Sequence, residues 1–407
     1  MHILMLAQHY APEEVRGAVL ATELAEDLAK RGHLVTFLTC APSYPYGKVY
    51  AGYANRPYSV ETNNRVRIIR TWSYITPGKG NLSRLLNYGS FSLASFLAGL
   101  RAGKPDVIFC YSPPLLLGLS AWMLSRIWGV PWIFRVEDLY PEAAIATGVL
   151  RNPALIATLS RLERFLYRRS AHISLISNNF KHNLLAKGVA ADKLSVEPLW
   201  ADIEHIYPQE NENEFRSEQN LTGKFILGYA GNMGLTSALE DVLQAAELLQ
   251  PHQDIHFVLV GEGSKKEALV QYSKDRNLKN VHFLPYQPRS AYAMLLAAGD
   301  LNLVTLNPAS AKYSLPNKLF NIMASGRPIL AITPLDSEIA QIIEAARCGI
   351  CIPPNEVELL ANKILALKDN CELLQTLGNN GRRYVESYFA RDVCIDQYEA
   401  MIRRAAG

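Results

Sequence analysis

Several signatures that would fix the chemistry at once are missing. The 407 residues hold no Gly-x-x-x-x-Gly-Lys phosphate loop, no Gly-x-Gly-x-x-Gly dinucleotide fingerprint and no Gly-x-Ser-x-Gly nucleophile elbow. Nucleoside triphosphatase, dinucleotide-dependent and serine hydrolase readings lose ground accordingly. None of the nine histidines stands in a His-Glu-x-x-His motif, so no metal is expected. The six cysteines include one close pair, Cys348-Gly349-Ile350-Cys351, with no second pair or nearby His to complete a redox or zinc site. Its apolar neighbours point instead to a buried strand end. The longest apolar run, Pro113 to Trp128, is broken by Gly118, Ser120, Ser125 and Arg126 and falls short of the ~20 residues of a spanning helix. Met1 to Leu6 is too short for a signal segment and runs into Gln8-His9, which predicts a first strand and a cytoplasmic protein.

Acidic residues are scarce in one region. Between Glu61 and Glu137 the only acid is Asp106, against Arg65, Arg67, Arg70, Lys79, Arg84, Arg101, Lys104, Arg126 and Arg135. Interleaved with them are Trp72, Tyr74, Leu85, Leu86, Tyr88, Phe91 and Phe96, a mixture that suits peripheral contact with an anionic membrane surface and equally an ordinary core with a basic rim. No nucleic-acid recognition motif accompanies it.

What is present is the composition of a packed globular chain, 49% hydrophobic and 19% charged with a net charge of +3, long enough for two domains. Strand-like runs alternate with helical ones: near Ile3–Leu6, Val35–Leu38, Val66–Ile69, Val107–Phe109, Trp132–Val136, His172–Ile176 and Leu194–Glu197 in the first half. In the second they fall near Phe225–Tyr229, His256–Val260, Val281–Leu284, Leu301–Thr305, Ile329–Ile332 and Gly349–Ile352. This is an α/β pattern with two Rossmann-like, doubly wound parallel sheets, which bind ligands beyond the carboxyl ends of their strands. The polar run Gln209 to Glu214 reads as a linker or surface excursion. The expected division is 1–203, 204–383 and a C-terminal helix over 384–407 that packs back on the first domain, with the working site in a cleft between domains.

Three places stand out as candidate sites. Tyr313 to Pro328 reads as a short helix with Ser314 as cap, Pro316 in the first turn, an apolar face of Leu319, Phe320, Ile322 and Met323, and Gly326 as a left-handed end. Its free N–H groups and the Lys318 charge fit a phosphate. Two glycine turns, Gly231-Asn232-Met233-Gly234 and Gly261-Glu262-Gly263, follow strands and precede the capping-box patterns Ser237 to Glu240 and Ser264 to Glu267, which completes a nucleotide cradle. In the first half, Trp132 to Val136 runs straight into Glu137 and Asp138, where a strand end holds carboxylates rigidly. Asp138 is the candidate catalytic carboxylate, or the one that positions an acceptor hydroxyl, or a helix cap; Glu137 is its alternate on the opposite face. Arg16 and Gly17, in the loop after the first strand, offer charge and an open backbone, and His9 lies beside them.

Taken in order and spacing, Ala11-Pro12-Glu13-Glu14 with Gly17, Glu137 to Glu142, the two glycine turns, and Leu315-Pro316-Asn317-Lys318 through Pro328 resemble the family 4 retaining glycosyltransferases of the GT-B fold. The likeness spans nearly the whole chain and is greatest to the bacterial exopolysaccharide branch. It implies that the second domain binds a UDP- or GDP-sugar co-substrate with no further cofactor. The first would take a saccharide acceptor, commonly lipid-linked, at the inner face of the membrane. The implied donor side is Arg16, Gly17, Asn232, Gly261, Glu262, Tyr286, Ser314, Leu315, Pro316, Asn317, Lys318 and Asn321, with Lys318 also in the catalytic set, and His9 and Tyr10 lie on the acceptor side. Asn232 stands where many members carry a phosphate-binding Arg and Ser237 near their Lys, which leaves more of the diphosphate charge to Lys318. The family's paired glutamates would fall on Tyr313 and Asn321, neither acidic. A nucleotide-sugar epimerase and an inactive nucleotide-binding scaffold are the rival readings.

Overall fold

The computed structural model describes the chain from Met1 to Gly407 apart from Lys79, Thr147 and Ser314 and the side chains of Asn81 and Arg289. It divides into two compact units, one of Met1–Ile145, Leu150–Pro198 and Ile395–Gly407, the other of Leu199–Cys394 with Ala146–Val149.

The first unit is built on eight strands: β1 (His2–Leu6), β2 (Leu34–Cys40), β3 (Tyr58–Asn63), β4 (Val66–Thr71), β5 (Val107–Ser112), β6 (Trp132–Val136), β7 (His172–Leu175) and β8 (Leu194–Val196). Their order in the sheet is β3-β4-β2-β1-β5-β6-β7-β8. β1 pairs in parallel with both β2 and β5, so the strand order reverses beside it. β5 and β6 are buried along their whole length, which is why they read as largely apolar runs, with Arg135 the charged exception. Helix Arg16–Lys30 lays Leu20, Leu24 and Leu28 into this core and stops at Gly32, whose φ of +90° favours glycine. β3, absent from the sequence reading, pairs antiparallel with β4 and is mostly exposed, so it carries no apolar pattern to betray it.

Helix Arg391–Ala406 contributes Ile395, Tyr398, Met401 and Ile402 to the buried core from its far end. Glu399 pins it. Its carboxylate accepts from Arg31 at 2.9 Å, His33 at 3.0 Å and Arg403 at 2.6 Å. Desolvation works to raise the Glu399 pKa, but the hydrogen bonds from His33, Arg31 and Arg403 outweigh it and bring it down to about 2. A folded pKa below the unfolded one means the contribution is present above the ordinary carboxylate range and is lost as pH falls toward 2. Replacing Glu399→Gln is expected to destabilise the first unit by about 1–3 kcal/mol at pH 7, with the loss shrinking below pH 4, as read by denaturant melts.

The second unit carries β9 (Phe225–Ala230), β10 (Ile255–Val260), β11 (Val281–Leu284), β12 (Leu301–Thr305), β13 (Ile329–Ile332) and β14 (Gly349–Ile352), all parallel, in the order β11-β10-β9-β12-β13-β14. β9 sits at the reversal, between β10 and β12. Cys348 and Cys351 are unpaired where β14 begins, and burial lifts both thiols, Cys348 to about 12 and Cys351 to about 11.

Three local expectations are corrected. The run Gln209 to Glu214 is a surface excursion of the second unit and not a linker: Arg327 donates to the Gln209 carbonyl at 2.6 Å, Asn211 to Asp300 at 2.8 Å, and Glu212 pairs with the buried Arg216 at 2.7 Å. Neither capping box forms, since helices Leu239–Leu248 and Lys266–Asp275 start after Ala238 and Lys265 without a side-chain cap. Ser237 instead donates its hydroxyl proton to the Gly234 carbonyl at 2.8 Å, closing the glycine turn. The helix expected around Pro316 begins later, at Lys318, so Pro316 precedes it, and Asn317 makes no side-chain cap. Gly326 ends it at φ +67°. Ser314, expected to cap it, lies outside the described residues.

Candidate active site

In the second unit the site grows from the carboxyl ends of β9, β10 and β11. Each glycine turn needs its glycines. A Cβ on Gly261 would stand 1.9 Å from the Gly231 carbonyl oxygen, and one on Gly263 would stand 2.4 Å from that of Met233. The turns therefore meet backbone to backbone, laced by Met233 N–H to the Glu262 carbonyl at 2.8 Å and Lys265 N–H to that of Met233 at 3.0 Å. Gly261→Ala, at φ +148°, is expected to cost about 2–4 kcal/mol in the second unit and to lower donor affinity with it, measured by melts monitored on that unit.

Room over Gly231 is filled by Lys318. A Cβ there would lie 2.7 Å from the Lys318 Nζ, which hangs 3.7 Å above the centre of the Tyr229 ring. Part of the Lys318 residue is open to solvent, but the crowding of its ammonium is severe, and burial pushes its pKa down to about 7. Among the described residues no carboxylate pairs with it. A cation held over an aromatic face without a counter-ion is a receptor for an anion. Tyr229 itself donates to the Asn232 carbonyl at 2.7 Å, which ties the ring to the turn.

The remaining residues expected on the donor side distribute unevenly. Tyr286, just past β11, is exposed. Asn232 is exposed, its amide lying against Gly234 and Gly263. Glu262 gives its carboxylate to Lys266 at 2.7 Å, while Lys266 also donates to the Gly261 carbonyl at 2.9 Å. Leu315 packs on the core under Leu319 and Phe320. Asn317 keeps a buried side-chain oxygen without a partner among the described residues. Asn321, one turn along from Lys318, is half-buried, as are Pro316 and Tyr313.

In the first unit, Gly17 lies in the first turn of helix Arg16–Lys30 and not in the loop before it. Its missing side chain faces β6: a Cβ would sit 4.0 Å from the Glu137 carboxylate. Glu137 is steered by Arg135, whose Nε lies 3.6 Å from Oε1. Arg135 is fully buried and was expected on the basic rim; it is instead a strut. It donates to the Ser174 hydroxyl at 3.0 Å and to the carbonyls of Leu175 at 3.0 Å and Glu197 at 2.9 Å, beneath the Tyr398 ring, 5.0 Å away. Arg70 is likewise internal, bonded to Glu61 at 2.7 Å. Asp138 reaches solvent and makes no hydrogen bond among the described residues. Crowding around its carboxyl, then the neighbouring Glu137 charge, raise its pKa to about 6 against the opposing pull of Arg16.

His9 is held at 2.6 Å from Glu13, whose other oxygen accepts from the N–H groups of Ser43 at 2.6 Å and Tyr44 at 2.8 Å. Tyr10, expected on the acceptor side, does not belong there. It is 1% exposed, with its ring 4.4 Å from Phe37, whereas the neighbouring His9 is half-buried. The sequence reading missed Tyr229, Arg135 and Tyr398. An arginine in the middle of the apolar run Trp132 to Val136 was a signal for a buried strut, whereas the expected return of the C-terminal helix did not identify Arg135 as the partner of Tyr398.

Two α/β sheets, each with candidate site residues beyond its strand ends, give the paired Rossmann-like architecture that binds ligands at such ends. Residues 17–200 match the family model described as Glycosyl transferase 4-like domain, and residues 210–384 match Glycosyl transferases group 1. The chain belongs to these glycosyltransferases and is an enzyme of the GT-B fold. It is 29% identical to WcaI of Escherichia coli K12, whose name assigns it glycosyl transfer in colanic acid biosynthesis, over 99% of this chain and 100% of that protein. Among solved structures it resembles sucrose-phosphate synthase from Thermosynechococcus elongatus, at TM-score 0.78 and 18% identity over 99% and 98% of the two chains. It also resembles Anabaena HepE in complex with UDP-glucose, at TM-score 0.71 and 16% identity over 99% and 100%.

Proposed function

We propose that the enzyme moves a sugar, with retention of configuration, from a UDP- or GDP-linked donor to a lipid-linked saccharide acceptor during exopolysaccharide or lipopolysaccharide assembly. The observation that carries this reading is the Lys318 ammonium, unpaired among the described residues over the Tyr229 ring beside two interlocked glycine turns. It supplies the charge a departing diphosphate needs. The UDP-glucose complex of the HepE relative and the name of the WcaI relative support donor class and setting.

Contact with an anionic bilayer is part of the proposal. Helix Asn81–Gly99 exposes Leu82, Leu85, Leu86, Leu93 and Leu97, with Arg84, Arg101 and Lys104 exposed close by in the chain, the composition of an interfacial helix. Trp72 and Tyr74 are also exposed, whereas Phe91 is fully buried. No helix among the described residues is long and apolar enough to cross a membrane. Replacing Leu82 and Leu86 with Ser is expected to reduce co-sedimentation with phosphatidylglycerol vesicles by fivefold or more without changing nucleotide affinity.

Purified protein incubated with a panel of UDP- and GDP-sugars and a lipid-linked acceptor extract is expected to release nucleoside diphosphate only when acceptor is present. Release or sugar inversion independent of acceptor would transfer the assignment to an epimerase. Nucleotide binding without turnover on any pair would leave a scaffold.

A further inference from the structure

The first unit carries a second concentration of positive charge, at the amino ends of its strands. Helix Pro153–Arg169 lines one side of a groove of about 570 Å³ with Arg161, Arg164, Arg168 and Arg169, and Arg164 and Arg168 also border an adjoining hollow of about 240 Å³ closed by Lys187 and Lys193. Lys187 is neutralised by Glu142 and, at 2.6 Å, by Glu163. Lys193 donates to the carbonyls of Arg168 at 3.1 Å and Ser170 at 3.0 Å, at the helix C-terminus. None of the four arginines meets a carboxylate among the described residues. Arg168 and Arg169 gain from the helix dipole in the last turn, but Arg161 and Arg164 lie too far back for that, and four guanidinium groups side by side repel one another.

Position separates this groove from the reaction site. Trp132, the first residue of β6, donates its indole N–H to the Arg169 carbonyl at 2.9 Å, and Lys193 immediately precedes β8, so the groove opens at the amino ends of the strands. Glu137 and Asp138 follow the other end of β6, about 17 Å away along a five-residue strand. The groove floor is firm, because Phe165 stacks edge-on against Trp122 at 5.0 Å.

We propose that this groove is a second anion site that binds a phosphate-bearing ligand distinct from the donor nucleotide, through paired contacts of guanidinium forks with phosphate oxygens. The shared chemistry is the phosphate, free in solution or at the head of an anionic lipid.

The test uses the full chain carrying Lys318→Ala, so that pyrophosphate has no second cation to favour. Calorimetric titration with inorganic pyrophosphate and flotation with phosphatidylglycerol or phosphatidylcholine vesicles are compared with the same protein carrying Arg164→Ala and Arg168→Ala as well. Pyrophosphate binding weakened tenfold or more by the arginine changes assigns a soluble ligand. Vesicle binding confined to phosphatidylglycerol, measured with Leu82→Ser and Leu86→Ser also in place and lost when the arginines are changed, assigns a headgroup. The pair Arg164→Lys and Arg168→Lys, which keeps charge and fold but not the fork, is expected to recover only part of the binding. No binding to any of these probes, or binding that the arginine changes leave untouched, overturns the proposal.

Discussion

Lys318→Ala is expected to weaken UDP or GDP binding by about 10- to 100-fold, the value of one charge-assisted contact in a crowded site, and to lower turnover further. Lys318→Arg is expected to fail as well, because the larger fork has no room between Gly231 and the Tyr229 ring. The sharper signature is a proton. With a pKa near 7 in the free enzyme, the amine is only partly protonated at pH 8. A bound diphosphate favours its charged form and raises that pKa. Binding at pH 8 should therefore take up a proton, binding at pH 6 should not, and affinity should fall as pH rises above about 7. Calorimetry in buffers of different ionisation enthalpy measures the uptake directly, and its persistence in the Lys318→Ala protein would remove Lys318 from the site.

That lysine was legible because the cues around it are local. Leu315-Pro316-Asn317-Lys318 announces a turn into a helix, and Gly326 announces the stop. The same holds for β6 and for β11 to β14, whose bounds follow from apolar runs closed by polar or glycine residues. What the sequence hid depends on contacts between distant segments. Ser237 offers the same hydroxyl to a helix N–H or to the Gly234 carbonyl, and only the packed turn decides for the latter. Tyr10 and His9 are neighbours of equal promise in the loop past β1 until tertiary packing sets one against Phe37 and the other against Glu13. β3 depends on β4 for its existence, with little burial of its own to pattern it. The strut from Tyr398 through Arg135 to Glu137 joins residues more than 250 positions apart, so no window of sequence contains it.

The strut also bears on the second large effect, at Asp138. Glu137 is anchored by Arg135 and lies against Gly17, whereas Asp138 stands free among the described residues beside that fixed charge. Asp138 has a raised pKa, about 6, and the open position, which suits a base or a partner for an acceptor hydroxyl. Asp138→Asn is expected to lower kcat by about 100-fold or more with little change in donor affinity. In the unaltered enzyme the rate should decline as pH falls through about 6, since the working form is the carboxylate and protonation removes it. The stability consequence has the opposite sign to that of Glu399: a folded pKa above the unfolded one means that ionised Asp138 opposes folding once pH exceeds about 6. The Asn variant should therefore melt at an equal or higher temperature than the parent at pH 8 while turning over far more slowly. An Asp138→Asn protein that is less stable and retains both its rate and its acid limb would make this residue a helix cap and return the catalytic role to Glu137.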